Sequence, residues 1–415
     1  MIKAFWRSLM EIKNLQNGHL PVAPLKLCAM PGFEWFKKKV NDHILKIRAA
    51  ELEKLGDQYD SAVMRGYCEE SFLTSCSCPR FGTGEAKGVI NDSVRGKDLF
   101  ILSDVTNYSL SYTVCGQVNH MSPDDHYQNL KRIVATAVSA AYRVNVVMPF
   151  LYESRQHKRA KRESLDCALA LEELASMGVT NIITFDAHDP RVQNSIPLQG
   201  MDNFMPTYQF IQALFQRDHD LKIDKSSMMI ISPDEGAIDR ASYVANNLGV
   251  DMGMFYKRRD YSTVINGKNP IVAHEFLGSD VTGKTVIIVD DMISSGESML
   301  DTARELKERG AHKVIILTTF GLFTDGYQKF DEFHNRGYFD YVVATNLIYE
   351  PEELLDKPWY IEADMTRFTA RIIDTLNHDQ TMADLMAPTS RIQRLVSQYN
   401  EAKKNEFSQF KLELE

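Results

Sequence analysis

Residues Thr285 to Arg304 read TVIIVDDMISSGESMLDTAR. A five-residue apolar run ends in Asp290 and Asp291, and a loop rich in small hydroxyl residues then enters a helix. An apolar strand that opens through a polar loop into a helix is the repeating step of an α/β domain. The chemistry sits at the junction. Paired carboxylates can accept hydrogen bonds from sugar hydroxyls or bind Mg²⁺. Ser294, Ser295, the Gly296 amide and Ser298 surround the helix N-terminus, where backbone N–H groups favour an anion. The stretch therefore reads as a cradle for a phosphorylated sugar.

The same step recurs outward in both directions. On the N-terminal side, strands are expected at Leu25–Met30, Asp98–Leu102, Val144–Pro149 and Asn181–Phe185, with helices at Phe33–Leu55, Asp124–Tyr142 and Ser164–Met177. In the second half the series is strand Ser227–Ser232, helix Gly236–Leu248 and strand Met252–Tyr256. It continues with strand Lys284–Asp290, helix Ser298–Gly310 and strands Lys313–Thr319 and Tyr341–Thr345. Such alternation predicts two doubly wound α/β domains, each a parallel sheet covered by helices, joined near Met205. The expected division is an extension over 1–20, domains over 21–206 and 207–365, and a helical segment over 366–415. Ligands of such sheets bind beyond the carboxyl ends of the strands, so polar residues just after strands are the candidates.

Composition narrows the class. The 415 residues are 44% hydrophobic and 25% charged, as in ordinary globular proteins. A formal net charge of −9 argues against broad electrostatic binding to nucleic acid, so any phosphate site must be local. No apolar run approaches the roughly 20 residues a membrane span needs, and Lys3, Arg7, Glu11 and Lys13 interrupt the start. Neither a membrane anchor nor a signal peptide is expected. The six scattered cysteines suit a reducing compartment, which makes a cytoplasmic location the expectation. Cys76 and Cys78 lack a second pair at zinc spacing.

One motif is a false lead. Gly278, Gly283, Lys284 and Thr285 satisfy the P-loop spacing, but Lys284 and Thr285 open a strand, whereas a phosphate-binding P-loop opens a helix.

The Thr285–Arg304 stretch resembles the phosphoribosyl pyrophosphate motif of type I phosphoribosyltransferases and of ribose-phosphate diphosphokinases. Further segments, in the family's order, single out the second group: RFGTGEAK with Phe81 and Glu85, and PFLYESRQHKR with Arg155 and Gln156. FDAHDP with Asp186 and His188, SPDEGAIDRA with Asp234, and KRRD from Lys257 complete the set. The resemblance implies type I phosphoribosyltransferase-like domains and transfer of a diphosphoryl group from Mg·ATP to ribose 5-phosphate. It assigns ATP to Phe81, Glu85, Arg155 and Gln156, and Mg²⁺ to His188 and Asp234. Ribose 5-phosphate falls to Asp290, Asp291 and Ser294 to Ser298. It also implies a homo-oligomer, hexameric in the family, whose adenine loop reaches a neighbouring subunit's ATP.

Each assignment has a physical basis. Phe81 can stack on adenine and Glu85 can accept from its amino group. Lys257 and Arg259 follow an expected strand and precede a polar stretch, Tyr261–Pro270, that suits a flap. Phosphoryl transfer depends on positioning and charge neutralisation, so these two cations are the catalytic candidates. The chain departs from the family at several points. Ser294 and Thr83 stand where aspartates are usual, Glu297 for glycine, Ser298 for threonine, His157 for aspartate and Phe320 for histidine. Two other functions compete: a regulator that binds nucleotide or sugar phosphate without turnover, and a nucleobase phosphoribosyltransferase, for which the first-half motifs would have no use.

Overall fold

The structure is a computed structural model that describes residues 20–55, 66, 67, 69–259 and 271–404. The chain forms two compact units. Unit 1 comprises the residues up to Phe204 with Leu347–Tyr349 and Met365–Ala387. Unit 2 comprises Met205–Asn346, Glu350–Asp364 and the residues from Pro388.

Unit 1 contains strands β1 (Leu25–Ala29), β2 (Cys76–Ser77), β3 (Val89–Ile90), β4 (Asp98–Leu102), β5 (Ser111–Val114), β6 (Gln117–His120), β7 (Arg143–Val147), β8 (Asn181–Phe185) and β9 (Gly200–Phe204). Its main sheet has the order β1-β4-β7-β8-β9, with every neighbouring pair parallel. Strands buried on both faces must be apolar throughout, as DLFIL and NIITF nearly are. On one face Leu99, Ile101, Val144, Val146 and Ile182 pack with residues of helices Pro123–Ala137 and Asp166–Ser176. The first of these helices starts where the sequence signals it. Ser122 accepts from the Asp125 amide while the Asp125 carboxylate accepts from the Ser122 amide, a reciprocal cap. Phe185 and Phe204 meet the ring of Phe368, which lies in helix Thr366–Asn377.

Unit 2 holds β10 (Met228–Ser232), β11 (Asp251–Arg259), β12 (Ile271–Leu277), β13 (Thr285–Ile293), β14 (Lys313–Gly321), β15 (Tyr341–Thr345) and β16 (Tyr360–Ala363). Their order is β12-β11-β10-β13-β14-β15-β16, with β12 antiparallel and the rest parallel. Alternate residues serve the two faces. Ile230, Ile287, Val289, Ile315 and Leu317 join residues of helices Thr207–Arg217, Ile238–Leu248 and Thr389–Lys404 in one core. Met229, Ile231, Val286, Ile288, Val314 and Ile316 join helix Glu297–Glu308, Phe330 and Trp359 in the other. From β10 the chain builds the sheet first toward β11 and then, on the opposite side, from β13 outward. The reversal opens a crevice between the carboxyl ends of β10 and β13.

The structure alters three expectations. The strand expected to end at Asp290 continues to Ile293, because backbone pairing with β14 carries Asp290, Met292 and Ile293 in register with Thr318, Phe320 and Gly321. Similarly, β11 runs on through Lys257, Arg258 and Arg259, held antiparallel to β12 with Lys257 opposite His274. The cations were expected beyond a strand ending at Tyr256. Finally, the stretch 366–415 is helical over Thr366–Asn377, Ala383–Met386 and Thr389–Lys404, its first part belonging to unit 1 and its last helix to unit 2. The flap expected over Tyr261–Pro270 lies outside the described residues.

Candidate active site

Three carboxylates gather at the reversal point of unit 2. Asp234 follows β10 and accepts from the Gly236 amide at 2.9 Å, while the Ser232 hydroxyl donates to the Asp234 carbonyl at 2.6 Å. Asp234 thus caps the short turn Glu235–Ala237, and the capping role does not exhaust its chemistry. Asp290 is half-buried and accepts from the Asp291 amide at 2.9 Å. Burial, followed by the charge of Asp291 and then that of Asp234, lifts the Asp290 carboxyl well above its ordinary pKa. Asp291 is 3% exposed, and the Arg240 guanidinium stands 3.8 Å from its carboxylate. Acids crowded in this way call for a cation or for hydroxyl donors. Their oxygen donors fit Mg²⁺. Among the described residues no group of three or more His, Cys, Asp or Glu is arranged to hold a metal by itself, so an ion here would complete its shell with substrate and water oxygens.

Ser294, Ser295 and Gly296 form the loop from β13 into helix Glu297–Glu308. Gly296 is the position that decides its path. Its φ is 81°, and a Cβ there would stand 2.3 Å from the Phe330 ring, so only glycine allows this turn. Glu297 and Ser298 are exposed on the first helical turn. The Glu297 carboxylate shares that turn with the helix's positive end, the place a phosphate would use.

Unit 1 carries the other candidates. At the end of β8 Asp186 adopts φ 40°, rare for a residue with a side chain, and donates its amide to the Phe204 carbonyl at 2.9 Å. The Ala187 amide is fixed at 3.0 Å by the Asn203 side chain, and His188 is exposed directly after. Asp189 caps the turn Pro190–Ser195 and is clamped by the Arg191 guanidinium, whose hydrogen bonds hold its carboxyl below the usual carboxylate range. His157 lies beside this pair. Its Nε2 is 3.5 Å from Asp189 Oδ2 and its ring centroid is 5.4 Å from that of His188.

Arg155 is exposed, and Gln156 is tied back by its side chain to the Ser164 carbonyl at 2.9 Å. Phe81 is 56% exposed, so its ring is not part of the core. Its loop is closed by Phe81 N–H to the Glu85 carbonyl at 2.7 Å, and Glu85 accepts from the Thr83 hydroxyl at 2.9 Å. Arg80 braces the loop by donating to the Gly84 carbonyl and to Asp125, with its guanidinium stacked 3.7 Å from the Tyr112 ring centroid.

The structure therefore groups Asp234, Asp290 and Asp291 with the Ser294–Ser298 loop in unit 2, and His188 with the His157 segment in unit 1. Phe81 and Glu85 sit together on a separate loop of unit 1. Sequence reading overlooked Arg240, Asp189 and Phe330. Arg240 lies inside the SPDEGAIDRA segment and Asp189 inside FDAHDP, but what each approaches is set by the fold, and Phe330 carries no local mark.

Residues 36–178 match the family model described as the N-terminal domain of ribose phosphate pyrophosphokinase, and residues 205–350 match the phosphoribosyl transferase domain. The chain is 32% identical over 278 residues to a ribose-phosphate pyrophosphokinase of Wolinella succinogenes, covering 66% of this chain and 80% of that one. With a ribose-phosphate pyrophosphokinase of Vibrio parahaemolyticus the identity is 27% over 314 residues, covering 75% and 90%. Among solved structures, phosphoribosylpyrophosphate synthetase from Mycobacterium smegmatis has the same fold, with a TM-score of 0.65 at 21% identity over 86% of this chain and 99% of that one.

Proposed function

The chain belongs to the ribose-phosphate pyrophosphokinase family, and from that premise we propose that it transfers the β,γ-diphosphoryl group of Mg·ATP to the C1 hydroxyl of ribose 5-phosphate, giving phosphoribosyl pyrophosphate and AMP. The observation that supports this most is the acidic crevice at the β10–β13 reversal, with the glycine-dependent loop beside it. Asp290 and Asp291 accept hydrogen bonds from the ribose hydroxyls, and the amides around Ser294 to Ser298 take the 5-phosphate. In unit 1, Phe81 stacks on the adenine, Glu85 accepts from it, and Arg155 and Gln156 contact the triphosphate.

The anomeric oxygen attacks the β-phosphorus in line. Lys257 and Arg259, both on β11, neutralise charge on the equatorial oxygens; no general base is assigned. His188 of unit 1 and Asp234 of unit 2 would each offer a ligand to Mg²⁺, which would supply further charge compensation when bound. The same reading makes the protein a cytoplasmic homo-oligomer, hexameric as the family resemblance implies, with ATP and ribose 5-phosphate as its partners. No described helix is long and apolar enough to cross a membrane.

A non-catalytic regulator is the second reading, favoured by Glu297, whose exposed carboxylate on the first helical turn adds negative charge beside the proposed phosphate site. One assay separates these. Purified protein with ATP, Mg²⁺ and ribose 5-phosphate should yield AMP and phosphoribosyl pyrophosphate in equal amounts, and Lys257→Ala should lower kcat by about 100-fold or more. Full activity in that variant removes the role given to Lys257. Ligand binding without turnover selects the regulator, and pyrophosphate release when phosphoribosyl pyrophosphate and a nucleobase are supplied instead selects the transferase.

A further inference from the structure

In unit 1 His157 occupies the position where the family motif carries aspartate, and its surroundings give the imidazole a defined orientation. Nε2 faces the Asp189 carboxylate at 3.5 Å, and that carboxylate is itself clamped by Arg191. A proton on Nε2 is favoured by this neighbour, which leaves Nδ1 with its lone pair. Nδ1 is buried and has no hydrogen-bond partner. An unfilled buried acceptor is costly, and a carboxylate behind one ring nitrogen with a lone pair on the other is the arrangement of metal-binding histidines. The second ring is close. His188 follows the strained Asp186, and the two imidazole centroids are 5.4 Å apart at an interplanar angle of 56°. Two imidazoles that share one ion through bonds of about 2.1 Å bring their centroids to roughly 5–6 Å.

We propose that His157 and His188 jointly coordinate the divalent cation carried by the nucleotide, with Asp189 as the positioning residue for His157, and that this imidazole pair shifts the preferred ion from Mg²⁺ toward Mn²⁺ or Co²⁺. The nucleotide clause rests on the function proposed above; the coordination clause does not. Oxygen donors suit Mg²⁺, whereas imidazole favours ions later in the first transition row. His188 is exposed, which leaves its side open to phosphate and water oxygens that complete the shell. A histidine pair that packs only ring on ring would leave Nδ1 of His157 unfilled and would gain nothing from Asp189.

The test uses the full chain with Mn²⁺ added alone and as its ATP complex. Electron spin-echo spectroscopy of the bound ion reads coordinated ¹⁴N directly, and competition against Mg²⁺ gives relative affinity. The expected result is coupling to two imidazole nitrogens, with one lost in His157→Asp. Mn²⁺ binding should weaken about tenfold in that variant, and by at least as much in Asp189→Asn, while Mg²⁺ binding changes little. Should His157→Asp fail to fold, the number of coupled nitrogens in the unaltered protein decides alone: one or none overturns the proposal. Identical couplings and affinities in the unaltered protein and His157→Asp also overturn it. Diphosphokinase activity is measured separately with Mg²⁺ and Mn²⁺. Absence of AMP formation with either ion defeats the proposed function, while the nitrogen couplings still decide the role of His157.

Discussion

Asp290 shares its half-buried position with the charges of Asp291 and Asp234, so in the ligand-free protein its carboxyl stays protonated to a higher pH than an ordinary one. The folded-state pKa lies above the unfolded value, near about 3.9. The folded chain therefore keeps a proton that the unfolded chain has released. Stability falls as pH climbs from the ordinary carboxylate range through the raised value, and is level beyond it. Asp290→Asn should accordingly raise the Tm of the ligand-free protein at pH 8 by roughly 2–4 °C, the shift about 1 kcal/mol makes in a domain this large. The gain should shrink as the pH is lowered toward the ordinary carboxylate range, and the KM for ribose 5-phosphate should rise about tenfold or more. Thermal melts across pH with parallel kinetics check both; a variant less stable than the original at pH 8 would refute the electrostatic account. Phe81 makes the converse case. Its exposed ring has little to do with stability, so Phe81→Ala should change unfolding free energy by less than about 0.5 kcal/mol. The KM for ATP should rise about fivefold or more while Phe81→Tyr stays near the original, as stacking requires.

At the scale of the element, the turn from β13 into helix Glu297–Glu308 depends on one missing side chain. Gly296→Ala would add both a left-handed backbone penalty and a clash with Phe330, so unfolding by urea should show a loss of about 1–3 kcal/mol. Combining it with Phe330→Ala should relieve the clash but not the backbone penalty, so the two changes should not add. Strictly additive losses would show that the ring contact is irrelevant. The sequence made this element readable because VIIV is apolar without interruption and the two aspartates and small hydroxyl residues break it abruptly. Elsewhere the same reasoning had less to grip. Strand β9 reads GMDNF and β16 reads YIEA, edge strands with mixed polarity and no alternation. The continuation of β11 through Lys257, Arg258 and Arg259 was hidden for another reason: three consecutive cations read as the end of an apolar strand, whereas backbone pairing with the next strand, β12, is indifferent to side-chain charge. In the candidate site, the acids and the glycine were visible as residue types after strands. Arg240 beside Asp291 and Asp189 beside His157 arise from tertiary approach, which no local pattern encodes.

Over the whole molecule, unit 1 is not continuous in sequence, because Met365–Ala387 returns to it. Fully buried Asp98, the first residue of β4, ties the return together. It receives two parallel hydrogen bonds from Arg143 at 2.9 and 2.7 Å, one from Asn145 at 2.7 Å and one from Asn377 at 2.8 Å. Removing the acid would strip a largely buried guanidinium of its two parallel bonds and leave it only the exposed Asp379 carboxylate and the Leu376 carbonyl. Asp98→Ala should cost about 3–5 kcal/mol in urea unfolding, and a loss below about 1 kcal/mol would mean that the return segment is held by apolar packing alone. Composition gave no hint that a helix after residue 365 would complete the first unit: Thr366–Asn377 has a buried apolar face but no capping side chain, and nothing in that face says which sheet it covers. The central claim is that this molecule moves two phosphoryl groups as one. It is tested most directly by supplying ATP carrying ³²P only at the β-position, with ribose 5-phosphate and Mg²⁺, and following the radioactivity through chromatographic separation of nucleotides from sugar phosphates. The account predicts that all of it enters the diphosphate attached to C1 of the sugar while AMP is released unlabelled. Label accumulating in ADP, or remaining in ATP while ribose 5-phosphate is bound, would contradict it.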